Sequence, residues 1–338
     1  MMRRLLILVA ILCAFVLAFT SCSIFDTGNS GGDKETVYSQ GLEFTSNGDG
    51  TCYVSGMGTC TDADIVIPPT SPADDSVTSI GCSAFEECLS LTSIEIPSSV
   101  IAIADDAFIR CTEVTKITFG EGSQLTFIGN SSFYSCTSLT SINIPSSLTS
   151  IGDSAFLGCS SLIGIEIPGS VVSIGSEAFL WCTSLTSIKI PEGVTHIAER
   201  MFSSCTSLAS IVIPSSVTEI DTGAFSGCTS LTSIEIPENI TYIAKDVFST
   251  CTSLTSVTFA EGSRLTTIDS AFSDCTSLTS VEIPSTVTTI GDYAFSGCTS
   301  LTDVYYTGSE EEWATVRIGI DNDAIINATI HYNYVPEE

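Results

Sequence analysis

The stretch CTSLTSINIPSSLTSIGDSAFLG at residues 136–158 decides the fold, because the chain repeats it with few changes. Residues 228–250 read CTSLTSIEIPENITYIAKDVFST, which places cysteine, proline and the apolar residues at the same positions of a 23-residue unit. Self-similarity at a period of about 20–50 residues is typical of solenoids, in which each unit packs only against its neighbours. The sequence therefore predicts a stack of equivalent turns, each of which we call a rung.

Phenylalanine and cysteine mark ten consecutive rungs. Ten cysteines follow one another at intervals of 23 to 25 residues, and each has a phenylalanine three residues before it. These cysteines are Cys88, Cys111, Cys136, Cys159, Cys182, Cys205, Cys228, Cys251, Cys275 and Cys298. Two units replace the Ile-Pro turn by the longer FGEGSQLT and FAEGSRLT, which start at Phe119 and Phe259. We attribute the intervals of 25 and 24 residues to these turns, which should bulge outward without shifting the core register.

Each unit has the pattern of two short strands joined by turns. Ile142 and Ile144 alternate with polar residues as in a β-strand, and Pro145 ends that strand because proline has no N–H group to donate. A second extended segment ends at Ile151, after which the chain turns back to Cys159. One unit buries too little apolar surface to fold alone, so equivalent strands should stack about 4.8 Å apart in a parallel sheet.

The run SAFxxCTSLTSIxIPxxVTxIG resembles the BspA-like leucine-rich repeats, a treponemal-type subclass that is common in surface lipoproteins. The resemblance covers residues 65–302. With the spacing, it predicts a β-rich, right-handed leucine-rich-repeat solenoid with a parallel sheet of about ten rungs and short turns or 3-10 segments on the other side. GLEFTSNGDGTCYVSG and DVYYTGSEEEWATVRIGIDNDAIINATIHYNY resemble the caps of that family, which implies a cap hairpin at 38–64 and a second cap at 303–338.

Caps are also expected on physical grounds, because the ends of a solenoid would otherwise expose apolar surface and unpaired strand edges. The two Asx-Gly dipeptides at residues 47–50 favour a hairpin turn. Ser309 and Glu312 form a capping-box pattern that starts a short helix, on which Trp313 can cover the last rung. The alternative is that Trp313 is a binding residue.

The charge of the chain excludes one class of partner. It has 10 Lys and Arg against 39 Asp and Glu, a net charge of −29. Such a surface repels phosphate backbones and anionic membrane surfaces. We therefore expect no nucleic-acid partner, and a membrane association only through a lipid anchor.

Residues 1–21 have the pattern of a signal peptide. Two arginines precede an unbroken apolar run at residues 5–19, which is shorter than the roughly 20 residues that span a bilayer. Cys22 resembles the lipidated cysteine of bacterial lipoproteins, and residues 22–37 would then form a lipidated flexible tether. The sequence predicts an exported protein that is lipid-anchored at the outer membrane or cell surface, with plain secretion as the alternative.

Thirteen cysteines remain when Cys13 and Cys22 are set aside, an odd number that cannot pair fully within one chain. Cysteines in register on neighbouring rungs have Cβ atoms too far apart for a disulfide bond. We therefore predict a column of free, buried thiols that pack as small hydrophobic groups. Cys52 and Cys60 are the better candidates for a disulfide, and the absence of a C-x-x-C pair gives zinc no support.

No catalytic motif is present in the sequence. Its two histidines, His196 and His331, lie outside any metal or nucleophile motif, and there is no G-x-S-x-G or glycine-rich phosphate loop. His196 occupies a position at which other units have Ser or Thr, so we expect an exposed surface histidine. The sequence predicts no enzymatic activity, no cofactor and no metal site.

Specificity can reside only at positions that vary between units. The residue between the two strand isoleucines should face outward, and we call this set the strand strip. It consists of Glu95, Thr118, Asn143, Glu166, Lys189, Val212, Glu235, Thr258, Glu282 and Tyr305. The strip is a candidate binding surface, although the spacing of its charges also limits repulsion between neighbouring strands.

A second variable site is the pair of residues between each phenylalanine and cysteine. In the first half of the chain this pair is apolar, and we call its members the apolar ridge. They are Ile109, Tyr134, Leu157, Leu180 and Trp181. If these side chains project to solvent they form an interaction patch. The alternative is that the turn places some of them in the core.

The predicted function is adhesin-like binding of a protein or glycan on host or neighbouring cells by a monomeric surface lipoprotein. This function is implied by the family resemblance. The alternative is a structural envelope or antigenic-display protein without a dedicated ligand.

Overall fold

A computed structural model describes residues 36–335. The predicted signal peptide, Cys22 and all but the last two residues of the predicted tether lie outside this range. The described residues from 37 to 335 belong to one compact unit, and its apolar core is continuous from Leu42 to Ile325. This unit therefore contains a complete core of its own.

Short strands make up nearly all of the regular structure in the described part of the chain. The strands are β1 (Glu43–Ser46), β2 (Thr51–Gly56), β3 (Asp64–Val66), β4 (Ser76–Ile80), β5 (Ser93–Ile96), β6 (Ala102–Ile103), β7 (Lys116–Phe119), β8 (Phe127–Ile128), β9 (Ser150–Ile151), β10 (Gly164–Ile165), β11 (Ser173–Ile174), β12 (Ser187–Ile188), β13 (His196–Ile197), β14 (Glu219–Ile220), β15 (Ser233–Ile236), β16 (Tyr242–Ile243), β17 (Ser256–Phe259), β18 (Thr267–Ile268), β19 (Ser280–Ile283), β20 (Thr289–Ile290), β21 (Asp303–Tyr306), β22 (Arg317–Ile318) and β23 (Thr329–His331). The helices are α1 (Glu310–Trp313) and α2 (Asp323–Asn327).

The strands stack in two columns. The first column consists of the sheets β3–β5–β7, β10–β12 and β15–β17–β19–β21–β23. The second column consists of the sheets β1–β2–β4–β6–β8–β9–β11, β13–β14 and β16–β18–β20–β22. Apart from the antiparallel hairpin of β1 and β2, the named strands pair in parallel, and residues one unit apart are partners, as Ile234 and Val257 are. The repeat period of the sequence therefore determines which residues pair in the sheets.

The stack contains about 12 turns rather than the ten that phenylalanine and cysteine mark. The second column extends beyond those ten rungs, because β2 pairs with β4 at its start and β22 pairs with β20 at its end. These outer turns lack the Phe-x-x-Cys pattern, so the sequence pattern did not include them. The predicted solenoid is confirmed, with more turns than predicted.

The third side of each rung consists of hydrogen-bonded turns. The Phe108 N–H group donates to the carbonyl oxygen of Ser132 at 2.7 Å, and the Arg110 N–H group donates to that of Tyr134 at 2.7 Å. The same two bonds recur between most neighbouring rungs. Between residues 36 and 335 this side contains no 3-10 helix, so the expected 3-10 segments are replaced by turns that bond from rung to rung.

The ten phenylalanines form one continuous stack inside the coil. Neighbouring rings have centroids 5.1 Å apart at Phe85 and Phe108 and 5.6 Å apart at Phe179 and Phe202, with nearly parallel planes. All ten rings are buried. Large aromatic rings bury much apolar surface, so this stack contributes strongly to the cohesion between rungs.

The predicted column of buried thiols is confirmed at nine of the ten marked cysteines, and Cys88 at the start of the column is half-buried. Each of the nine thiols donates to the carbonyl oxygen of the phenylalanine one rung earlier, as Cys159 does to Phe133 at 3.1 Å. Burial raises the pKa of Cys159 well above its ordinary value of 9.0. The suggested disulfide is wrong for this structure, because Cys52 and Cys60 are both free and buried.

The two longer turns differ in one respect from the prediction. Gly122 and Gly262 adopt φ angles of 71° and 75°, which the extra turn residues require. Both turns add two residues, but the second unit also lacks one residue between Ile268 and Phe272. Its interval of 24 residues is therefore the sum of an insertion and a deletion.

The end of the stack satisfies its backbone with a side chain. The Phe295 N–H group has no further phenylalanine rung to donate to, and it donates instead to Oδ1 of the buried Asn322 at 3.0 Å. The predicted capping box of Ser309 and Glu312 starts α1, and Trp313 lies edge-on against Tyr306 with centroids 5.0 Å apart. Within residues 36–335, no helix has the length and apolar character needed to span a bilayer.

Candidate binding surfaces

The strand strip lies on the outer face of the first column, and none of its ten residues is buried. Glu95 is the direct partner of Thr118, and Lys189 is the direct partner of Val212. Val212 is 80% exposed, so this apolar side chain has no packing role. The strip is available for contact, and its use in binding stays a prediction.

The last part of the strand strip is a cluster of aromatic rings. Tyr305 stacks on His331 with ring centroids 4.8 Å apart and lies 4.7 Å from Tyr334. Nε2 of His331 lies 2.7 Å from Oδ1 of Asp303, and this contact holds the pKa of Asp303 below its ordinary value. These rings contact one another, which gives Tyr305 a packing role.

The apolar ridge does not form a continuous exposed surface. Leu157 and Leu180 are buried, Ile109 and Tyr134 are half-buried, and Trp181 is 53% exposed. In the two rungs with leucine, the first residue after phenylalanine is buried, whereas Trp181, the second residue in its rung, is exposed. The alternative, in which the turn places some of these residues in the core, therefore holds for the two leucines, and Trp181 is the exposed member of the set.

Backbone conformation explains why Trp181 projects. The second residue after phenylalanine has a positive φ angle between 53° and 74° in all ten rungs. The residues are Glu87, Arg110, Ser135, Gly158, Trp181, Ser204, Gly227, Thr250, Asp274 and Gly297. This left-handed conformation suits glycine and costs an ordinary L-residue roughly 1–2 kcal/mol. Trp181, with a φ of 62°, is the bulkiest residue in the set.

A hollow of about 510 Å³ lies beside the indole, and we call it the Trp181 hollow. Its lining residues come from neighbouring rungs. They are Tyr134, Ser154, Leu157, Glu177, Leu180, Trp181, Arg200 and Ser203. Arg200 and Glu177 form an ion pair in this lining, with Nη1 and Oε1 3.3 Å apart. The arrangement combines apolar side chains with a charged pair.

The sequence pattern missed a second outward strip, on the second column. It consists of the residue before the inward isoleucine of each short strand, and we call it the second-column strip. Its members are Ser79, Ala102, Phe127, Ser150, Ser173, His196, Glu219, Tyr242, Thr267, Thr289 and Arg317. None of them is buried. Six of the eleven are Ser, Thr or Ala, whereas His196, Glu219 and Tyr242 are three large polar residues in consecutive rungs.

Two aspartates face this part of the second-column strip. Nε2 of His196 lies 2.8 Å from Oδ2 of Asp221, and the Tyr242 hydroxyl donates to Oδ2 of Asp269 at 2.7 Å. The hydrogen bond to Asp269 raises the pKa of Tyr242 to about 12. A hollow of about 420 Å³ lies beside these pairs, and its lining includes Glu219, Asp221, Tyr242, Lys245 and Asp269. We call it the Tyr242 hollow.

The two aspartates interrupt a column of small residues. The position after the inward isoleucine holds Gly or Ala in the nine other rungs from Gly81 to Gly319. At Gly175, a Cβ atom would lie 2.5 Å from the backbone nitrogen of Asp153, one rung earlier, so there is little space at this position. Aspartate at 221 and 269 is therefore a departure from the packing rule, and it is the sequence signal by which this site could have been found.

The stacked parallel strands with inward phenylalanine and cysteine columns define a leucine-rich-repeat β-solenoid. A family model described as "BspA type Leucine rich repeat region" matches residues 70–183 and 172–302, with six copies. The chain belongs to this family, whose members are commonly surface proteins and are typically not enzymes. A comparison with curated proteins gave no match.

Solved structures support this assignment. The crystal structure of the T. pallidum leucine-rich repeat protein TpLRR is 32% identical, with a TM-score of 0.53, and the match covers 59% of this chain and 91% of that chain. A leucine-rich repeat protein from Bacteroides ovatus has the same fold at 23% identity, with a TM-score of 0.57 and coverage of 89% and 100%. The family and the fold predicted from the repeat unit are thus confirmed.

Proposed function

We propose that this chain is an exported, lipid-anchored surface protein with an adhesin-like role, and that it binds partner proteins at the Trp181 hollow. The observation that carries this proposal is the indole of Trp181, which is 53% exposed and adopts a φ of 62°. A bulky residue in this conformation is strained, and such strain clusters at functional sites.

Equivalent rungs show that the fold itself has no need of tryptophan at this position. Gly158 and Gly227 occupy it at no conformational cost, and Ser204 occupies it in the next rung. Exposed tryptophan is, in contrast, the residue type most enriched among the dominant contacts of protein interfaces. The position therefore favours a binding role for Trp181.

The surroundings of Trp181 have the composition of an interface centre. Buried Leu157 and Leu180 and half-buried Tyr134 provide apolar surface, and the Glu177–Arg200 pair provides a polar edge. Interfaces combine an apolar centre with a polar rim in this way. We propose that the hollow takes an apolar side chain of the partner.

The charge of the chain indicates the character of the partner. A net charge of −29 favours association with proteins that carry a basic surface next to their apolar anchor. Because exposed charges are screened by salt, the association rate should fall as ionic strength rises. Glycans without charge would not show this dependence.

A binding panel tests the proposal. Residues 36–338, which contain a complete core, are immobilised and probed with purified extracellular-matrix proteins and with a glycan array. We expect a matrix protein to bind, and Trp181→Ala to weaken it at least about tenfold, which corresponds to 1.4 kcal/mol or more. Ser204→Ala, at the equivalent position one rung on, is the matched control and should bind as the wild type does.

Other results would contradict the proposal. Binding that survives Trp181→Ala but is lost in Val212→Ser would place the contact on the strand strip. Absence of binding to every probe would favour the structural or display role. For the anchor, Cys22→Ala should release the protein from the membrane fraction, and protease added to intact cells should cleave the wild type if the repeats face outward.

A further inference from the structure

Three side chains from two neighbouring rungs converge on the second-column strip. His196 and Glu219 are direct partners in the pair β13–β14, and Asp221 follows two residues after Glu219 on the same outward side. One potential ligand atom from each residue lies within 4.8 Å of the other two. Ligands of one zinc ion, at about 2.0–2.2 Å from the metal, lie roughly 3.5 Å from one another. His196 and Glu219 are exposed and Asp221 is half-buried, so small rotations of these side chains would bring the three atoms to that spacing.

The hydrogen bonding of the fold does not account for Glu219. Two rungs further on, Tyr242 and Asp269 repeat the arrangement of His196 and Asp221, with the strip residue bonded to an aspartate one rung later. In that second pair, the position equivalent to Glu219 is Thr267, which is the direct partner of Tyr242. The hydrogen bond between a strip residue and its aspartate therefore does not require a carboxylate at the position of Glu219.

The donor set indicates the class of ligand. An imidazole nitrogen with two carboxylates suits zinc and related first-row divalent ions, whereas calcium and magnesium prefer oxygen ligands alone. Two carboxylates also balance the charge of a divalent ion. Lys245 also lines the Tyr242 hollow, and its ammonium group lies 3.9 Å from Oδ2 of Asp246. Its ion pair is therefore with a carboxylate other than Glu219 and Asp221.

We infer that His196, Glu219 and Asp221 form a surface site for a divalent first-row transition ion, with zinc as the test ion. Three protein ligands would leave one tetrahedral position open. Two of the three, Glu219 and Asp221, line the Tyr242 hollow, which has a volume of about 420 Å³. The open position can hold water or a donor atom of a partner molecule. The ion would link two neighbouring rungs. This site is distinct from the Trp181 hollow, and its test does not depend on the binding panel.

Calorimetry with zinc chloride tests the site on residues 36–338. The exposed thiol of Cys82 is a competing ligand, so all proteins carry Cys82→Ala. We expect one zinc ion per chain and no heat with calcium chloride. His196→Ala, Glu219→Gln and Asp221→Asn should each weaken zinc binding at least about tenfold. Asp269→Asn, which alters the neighbouring pair only, is the matched control and should bind zinc like its parent.

A spectroscopic measurement keeps the test independent of affinity. Cobalt added in place of zinc should give the intense visible absorption of a tetrahedral ion in the parent protein, and His196→Ala should abolish it. Absence of saturable zinc binding in the parent protein would overturn the inference. So would zinc binding that is unchanged in His196→Ala and Glu219→Gln, since the ion would then lie elsewhere.

Discussion

The hydroxyl group of Tyr242 donates a 2.7 Å hydrogen bond to Oδ2 of Asp269, which lies one rung further along the stack. This bond stabilises the protonated phenol, and together with the carboxylate charge it raises the pKa of Tyr242 to about 12. We predict that Asp269→Ala lowers this pKa toward the ordinary value of about 10. Ultraviolet absorbance during an alkaline titration measures the change.

Tyr293 supplies the internal control for that titration. Its pKa is raised by a hydrogen bond to Asp321, which the substitution leaves in place. A titration in which all tyrosines move together, or in which none moves, would contradict the assignment of the effect to Asp269.

The hydroxyl group of Ser132 destabilises the stack. Its hydroxyl is buried and, alone among buried side-chain nitrogen and oxygen atoms in residues 36–335, has no hydrogen-bond partner. The equivalent residue is alanine in most rungs, including Ala107 and Ala155. We predict that Ser132→Ala raises the free energy of unfolding by about 1 kcal/mol, because an unpaired buried hydroxyl is removed.

The reverse substitution is the matched control. Ala155→Ser should lower the free energy of unfolding by a similar amount, and urea denaturation followed by circular dichroism compares the three proteins. If Ser132→Ala destabilised the protein, the Ser132 hydroxyl would have a hydrogen-bond partner in solution, and the prediction would be wrong.

The thiol column predicts a loss of stability at alkaline pH. Burial raises the pKa of Cys136, Cys205 and Cys251 from 9.0 to about 12. The unfolded chain therefore loses these protons first, so their contribution is complete below pH 9 and is lost as the pH rises toward 12. Denaturation midpoints at pH 8 and pH 10.5 should show the fall.

Tyrosine and lysine also titrate in that range, so the comparison needs a variant. Cys205→Ala with Cys251→Ala should show a smaller fall between the two pH values than the wild type, although it is less stable at both. An equal fall in the two proteins would mean that the thiols do not cause it.

Leu180 and Trp181 are adjacent in sequence but should differ in their effect on stability. Leu180 is 8% exposed, and truncation of a buried leucine to alanine costs about 2–5 kcal/mol. Trp181→Gly removes a half-exposed indole but relieves the left-handed strain, so stability should stay within about 1 kcal/mol of the wild type. Thermal unfolding distinguishes the two variants. Equal losses of stability would mean that Trp181 has a packing role in the core.

Inward-facing positions could be predicted because a fixed period gives each of them the same surroundings in every rung. Cys159 was predicted to be buried, and it is buried, as are Phe133 and Ile142 at two other repeated positions of the unit. The outward position of the strand strip follows from the same alternation. These predictions needed no knowledge of side-chain contacts between rungs.

The division of the apolar ridge could not be predicted, because it depends on a backbone conformation that the residue types conceal. The left-handed position holds Gly, Ser, Thr, Asp, Glu, Arg and Trp, so only glycines such as Gly158 carry a signal. The pairing of His196 with Asp221 joins residues 25 positions apart. Recognising it requires the register between rungs, although aspartate in a column of Gly and Ala was visible in the sequence.

The continuous ring stack has an evolutionary consequence. Because each phenylalanine meets a neighbour of the same shape, loss of residues 206–228 would bring Phe248 against Phe202. It would also leave the motif CTSLTSIEIP intact, with Cys205 as its first residue. Recombination between the repeated coding segments can therefore shorten or lengthen the protein in whole units. Such events would change the length of the stack, and which side chains it displays, while selection on folding stays nearly constant.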